Sequence, residues 1–294
     1  MTIEKFIEKL KNWNPSEEFQ SLTTPVRKEK GKIKNPEVIS IINIYGNKYA
    51  MYRMKEIKEE YVEYEYDEGK TYIKDNEWLG NAEIKCKNLQ MYLNKMKMLE
   101  SNSFRLFIGE APGIKGCFGT GIPFTDERIL VCERLINKKN QINLENSFFN
   151  ELRNKSNDSC KNSQKERTSY IVWERLNRIN KVDLPILWNI YPFHPGQETE
   201  RKIKNRPPTP DECKKGIDFL FDLLEFFDIK EIYPVGDKAR ETLEKSKEDL
   251  LLKKKFSNIK LKLEECEYIP HPSYKGAQKF RERLSQIYPE LKNS

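Results

Sequence analysis

Histidine is nearly absent from this chain, with two residues in 294. The six cysteines (Cys86, Cys117, Cys132, Cys160, Cys213 and Cys266) include no C-x-x-C pair, which argues against zinc knuckles and against a disulfide framework. No metal is therefore expected. Long apolar runs are missing too: no window approaches the ~20 apolar residues that a spanning helix needs. The opening stretch MTIEKFIEKLKNW has no signal-peptide core. A soluble, cytoplasmic protein without a membrane partner is expected. Internal repeats and low-complexity tracts are also absent.

What is present supports a globular fold. Hydrophobic residues make up 37% and aromatic residues 11%, enough for a real core in a chain of this length. Lysine and arginine outnumber aspartate and glutamate by 53 to 46, a net charge of +7. Nearly all of that excess falls after residue 100, so a polyanionic partner is allowed there.

The pattern divides the chain near residue 100. Before it, IEKFIEKL spaces Ile3, Phe6, Ile7 and Leu10 as one face of a helix, and EVISIINIYGNKYAMYRM and EEYVEYEYDEGKTYIKD read as strands joined by turns. Residues 1–100 are expected to form a small α+β appendage. NAEIKCKNLQMYLNKMKMLES is a helix leading into the main domain, 101–294. That domain alternates apolar runs (FRLFIGEAPG, LPILWNIYPF, IKEIYPVGD, CEYIPHPS) with helical segments, and Thr209 or Asp211 caps the helix after NRPP. Such alternation predicts an α/β domain, a parallel sheet with helices on both faces. Ligands of such sheets bind outside the carboxyl ends of the strands.

The run endings therefore hold the candidate chemistry. The first, GEAPGIKGCFGTGIPF, brings Glu110 to the sheet edge on a Gly/Pro-rich turn that lets backbone approach a ligand. WNIYPFHP brings Asn189, and EYIPHPS brings His271 between Pro270 and Pro272. Acid, amide and imidazole would arrive at one edge.

GEAPG followed by TGIPF, a strand-end Asn and HPS resembles the uracil-DNA glycosylase superfamily, over roughly Arg105 to Pro289. The resemblance implies a three-layer α/β/α fold on a four-stranded parallel sheet. It implies catalytic roles for Glu110, steadying the cationic sugar and positioning water, and for His271, donating to the leaving base. Phe124 would lie under the base and Asn189 would read it, with Ala111 and Gly121 of the two Gly/Pro-rich stretches also at the base. Ser273, Tyr274 and Lys275 stand where DNA contacts and a wedge into the base stack are expected. His194 is read either as part of a chain turn or as a contact to DNA phosphate or base. Several members with GE(A/G)PG hold an iron–sulfur cluster through four cysteines, two of them closely spaced. That spacing is lacking here, so no cofactor is expected.

The implied partner is DNA containing uracil or a modified pyrimidine. Uracil ranks first, because the resemblance spans all the motifs. Hydroxymethyl- or glucosyl-cytosine of phage DNA ranks second, because Ile114, Lys115 and Gly116 replace the acidic run common after GE(A/G)PG. A non-catalytic nucleic-acid-binding module is the competing class.

Overall fold

The structure is a computed structural model that describes residues 1–13, 38–42, 44–46, 49–56, 62–66, 82–99, 104–131, 134–136, 143–145, 165–199, 202–247, 258–273 and 275–293. In chain order its strands are β1 (Val38–Ile42), β2 (Tyr49–Glu56), β3 (Val62–Tyr66), β4 (Phe104–Gly109), β5 (Arg134–Ile136), β6 (Asn143–Glu145), β7 (Ile186–Asn189), β8 (His194–Thr199), β9 (Lys202–Asn205), β10 (Ile229–Pro234) and β11 (Lys260–Leu261).

A four-stranded sheet in the order β11-β10-β4-β7 forms the centre, and every pairing in it is parallel. Its inner residues Leu106, Phe107, Ile108, Ile186, Leu187 and Trp188 are all buried, the continuous apolar run that a sheet covered on both faces requires. Phe107 pairs in register with Leu187, and Ile108 with Trp188, so alternation puts Phe107 and Trp188 on opposite faces. Phe107 meets Tyr288, just past the helix Ala277–Ile287, whereas Trp188 meets Phe6 of the helix Ile3–Asn12. Helices thus cover both faces, and the N-terminal helix supplies one of them.

The pattern boundary near residue 100 is consequently not a packing boundary. Trp13 stacks on Phe193 with ring centroids 3.9 Å apart, and Lys9 bonds Asp222 at 2.5 Å. Tyr92, on the helix Ala82–Met98, accepts the backbone N–H of Leu187 at 2.7 Å and so occupies a donor on the edge strand β7. A second sheet, β3-β2-β1-β8-β9, is antiparallel and joins the first three strands of the chain to the hairpin β8–β9.

Three of the four expected runs form strands of the central sheet; the fourth does not. Tyr268–Pro270 makes a single parallel bridge, Ile269 to Val235, through Ile269 N to Pro234 O (2.9 Å) and Gly236 N to Ile269 O (2.8 Å). Pro270 and Pro272 have no N–H to extend a ladder, and the fourth strand is instead the two-residue β11. The cap expected at Thr209 or Asp211 is Thr209. Its side chain accepts from Glu212 N, and the Glu212 carboxylate accepts from Thr209 N at 2.6 Å, a capping box at the start of the helix Pro210–Leu224.

Candidate active site

β4 and β7 end together, with Gly109 paired to Asn189 in register. The chain then turns, and the bonds Ile190 N to Gly109 O (2.8 Å) and Tyr191 N to Glu110 O (3.0 Å) fix the start of the GEAPG turn against β7. At Gly109 an added Cβ would stand 2.6 Å from the Phe124 ring and 2.8 Å from Oδ1 of Asn189. Acid-bearing turn, ring and amide therefore meet at one point, and only glycine fits between them.

Phe124 has a φ of +55°, the one non-glycine residue with positive φ among those described. The left-handed region costs such a residue about 1–2 kcal/mol. Side chains around it over-determine the loop: Thr120 Oγ1 donates to Thr125 O (2.7 Å), Thr125 Oγ1 to Pro123 O (3.0 Å) and Trp173 Nε1 to Thr125 Oγ1 (3.1 Å). Strain held in this way marks a ring whose position matters.

Asn189 is buried, and among the described residues Nδ2 reaches only the Cys117 Sγ, at 3.9 Å. A side-chain amide offers two N–H donors and an acceptor, so beside the long contact to Cys117 a donor and the acceptor are left for a ligand. The Glu110 carboxyl has no hydrogen bond or ion pair among the described residues. Burial raises its pKa first, Glu241 adds to the rise, and Lys238 pulls it back.

His271 lies beside Gly236, where an added Cβ would meet the His271 Cβ at 3.0 Å and its ring at 3.4 Å. One side of the residue is open to solvent. Protein packed about the ring nevertheless lowers its pKa, so the imidazole is neutral at neutral pH and carries one N–H to give.

Glu110, Ala111, Phe124, Asn189, Gly236 and His271 all line one cleft of about 500 Å³ at the carboxyl ends of β4, β7 and β10. Other sequence expectations land elsewhere. Gly121 lies outside the cleft wall: with φ +77° it ends the short helix Cys117–Thr120, and a Cβ there would stand 2.7 Å from Lys85 O. It lets the helix Ala82–Met98 dock, which is a structural task. His194 sits fully buried in β8, bonded through Nδ1 to Pro112 O at 2.8 Å with the Phe118 ring edge-on at 4.9 Å. No DNA phosphate can reach it, and burial drives its pKa down to about 4. Ser273 and Lys275 are exposed on the segment after His271 and do not line the cleft, and Tyr274 lies outside the described residues.

The cleft also holds residues without a sequence signal: Cys117, Glu166, Asn205 and Arg206. Arg206 is held by both oxygens of Glu212, each at 2.6 Å, so the capping box of one helix also orients a cleft-wall guanidinium. Among the described residues no group of three or more His, Cys, Asp or Glu could hold a metal ion. No helix of those residues is long and apolar enough to cross a membrane.

Fold and cleft together define an α/β protein that presents acid, aromatic ring, amide and imidazole at the carboxyl ends of a parallel sheet. The family model of the uracil DNA glycosylase superfamily matches residues 96–292, more than half of the chain, and the chain belongs to that superfamily of DNA glycosylases. Among solved structures, the crystal structure of wild-type Pedobacter heparinus SMUG2 is similar in fold, with a TM-score of 0.51 at 16% identity and 100% of each chain covered. A search of curated proteins gives no match.

Proposed function

We propose that the protein is a monofunctional DNA glycosylase that hydrolyses the N-glycosidic bond of a flipped-out uracil or related pyrimidine and leaves an abasic site. The observation that carries this reading is the convergence of Glu110, Phe124, Asn189 and His271 on one cleft. Breaking the bond between sugar and base creates positive charge on the sugar and negative charge on the base oxygen. A fixed anion on one side and a fixed N–H on the other stabilise both. Glu110 is the anion and orients the attacking water; His271, neutral, donates to the base. Phe124 stacks under a base removed from its duplex neighbours, worth about 1–3 kcal/mol. Asn189 pairs with the base edge and leaves groups unsatisfied against a wrong one. Ser273 and Lys275, exposed on the segment after His271, contact the DNA backbone.

A second reading takes a substituted cytosine of phage DNA as substrate and an antiviral task. What favours it is that the same cleft is lined also by Glu166, Asn205 and Arg206. The experiment that tests the proposal incubates the protein with oligonucleotides carrying one uracil, hydroxymethylcytosine or glucosylcytosine, followed by alkaline cleavage. Strand scission at the single base is the expected result. Binding without scission at any of them would make the protein a non-catalytic nucleic-acid-binding module.

A further inference from the structure

Besides Glu110 the cleft is lined by Asp237 and Glu166, and Glu166 has no part in the chemistry above. Glu166 precedes the helix Arg167–Leu176, and its side chain lies against the loop that follows GEAPG. Two glycines make room for it: a Cβ at Gly113 would stand 2.6 Å from Oε1, and one at Gly116 would collide with Oε2. Its backbone N–H donates to Oδ2 of the buried Asp126 at 2.6 Å, and Ser169 Oγ donates to its Oε2 at 3.1 Å. Glu166 is thus held from three sides.

No cation answers this carboxylate among the described residues. Burial raises its pKa, Ser169 opposes the rise and the carboxyl of Asp126 adds to it. A carboxylate shielded from water without an opposite charge is costly, and such groups concentrate where a ligand supplies the missing partner. Its place in the cleft is beside the base reader. Cys117 Sγ takes the Asn189 amide at 3.9 Å, and after burial the Glu166 carboxylate is the strongest influence raising the same thiol's pKa. Glu110 stands on the turn that leaves β4 beside β7, whereas Glu166 stands against Gly113 and Gly116. The two carboxylates therefore enter the cleft from different segments of its wall.

We infer that Glu166 is a specificity-determining residue that accepts a hydrogen bond from a donor on the outer edge of the flipped pyrimidine. That donor is a 4-amino group or a hydroxyl carried on C5. A base with only carbonyl oxygen at that edge meets a carboxylate it cannot pair with. The inference rests on the glycosylase reading and narrows its substrate class. Leaving a charged group unpaired against the wrong base is the kind of mismatch that separates close analogues by ~10- to 100-fold.

The test uses single-stranded oligonucleotides of purines around one uracil, thymine, cytosine or 5-hydroxymethyluracil, with single-turnover excision as the readout. Thymine controls for size, and the last two bases separate an amino from a hydroxyl donor. The full chain is expected to release at least one donor-bearing base about tenfold or more faster than uracil and thymine. Glu166→Gln should bring that ratio towards one, and Ser169→Ala, which loosens the carboxylate, should lower it less. A Glu166→Gln variant that slows every base equally would overturn the inference, as would wild-type protein that prefers uracil. Release of no base by wild-type protein would remove the glycosylase reading, and this inference with it. If Glu166→Gln fails to fold, the ratio in Ser169→Ala decides: an unchanged ratio counts against Glu166.

Discussion

Both histidines of this chain are followed by proline, in PFHP and in IPHP, yet the fold uses them in opposite ways. His194 is swallowed by β8, 0% exposed, with its ring bonded to a loop carbonyl and packed on Phe118. His271 stands at the rim of the cleft, tied to β10 by one isolated bridge two residues earlier. What separates them is the next element. After Pro195 the chain pairs with both β1 and β9, which draws His194 inside. After Pro272 the backbone folds back, Ser273 N to His271 O at 2.8 Å, and the residue keeps one side exposed. A flanking proline therefore shapes the backbone, and neighbouring strands decide whether the side chain is enclosed or left at the cleft.

Excision assays sharpen this contrast, and the largest effect is expected at the group His271 works against. Glu110→Gln keeps size and hydrogen bonding but removes the charge that the proposed mechanism sets against the sugar cation. Single-turnover excision should fall by about 10²–10⁴-fold, the span usual for a positioned acid or base. DNA affinity should hold or rise, because a carboxylate near phosphates is repelled. The raised Glu110 pKa carries a pH consequence: the carboxyl takes up its proton at a pH above the ordinary carboxylate range. Wild-type activity should therefore fall early as pH drops, and the Gln variant should lack that limb. An equally active Gln variant would refute the electrostatic role.

His271→Ala comes next, with a loss of about 10²–10³-fold in the chemical step, as for a deleted oxyanion donor. Binding and the unfolding midpoint should change little, since the ring is open on one side. A wild-type excision rate in this variant would end the distinction between the two histidines.

How much of this was legible in the sequence depends on whether a signal was local. Gly109 and Asn189 at adjacent strand ends follow from apolar runs broken by Gly and polar residues, and the structure pairs them in register. The division at residue 100 was legible as pattern only, because long-range pairings such as β1 with β8 and Phe6 with Trp188 leave no trace in periodicity. CEYIP reads as the fourth strand by its apolar content, yet Pro270 and Pro272 cannot donate to a ladder and the strand forms at Lys260–Leu261 instead. Glu166 and Arg206 were invisible: each reaches the cleft through contacts made in space, with Gly113 and Gly116 for one and Glu212 for the other.

A smaller effect on excision is expected beside His271. Lys275 is exposed on the same loop, and its charge would meet phosphate rather than a base. Lys275→Ala should weaken DNA binding several-fold, alike for every sequence, and lower the slope of log affinity against log salt by about 1. An unchanged salt slope would remove Lys275 from the contact surface.

His194 should show the least effect on excision and a clear effect on stability. Its folded pKa is about 4 against an ordinary 6.5, because burial disfavours the charged ring. As pH falls, the unfolded chain takes the proton first, so stability is kept above about pH 6.5 and lost between there and about pH 4. The full loss from this one group is roughly 3 kcal/mol. Glu110, Asp126 and Glu166 act in the opposite sense, since their raised folded pKa values favour the folded state as they protonate. The wild-type pH profile alone would mix the two. The difference between wild type and His194→Gln isolates the histidine: at pH 7 the variant should be less stable by about 1–3 kcal/mol, for a disturbed buried hydrogen bond and packing site. Its deficit should shrink or reverse by pH 4, measured by urea unfolding at each pH, while excision at pH 7 in the folded variant stays within a few-fold of wild type. A deficit that does not change with pH would mean that His194 is not held neutral in the fold.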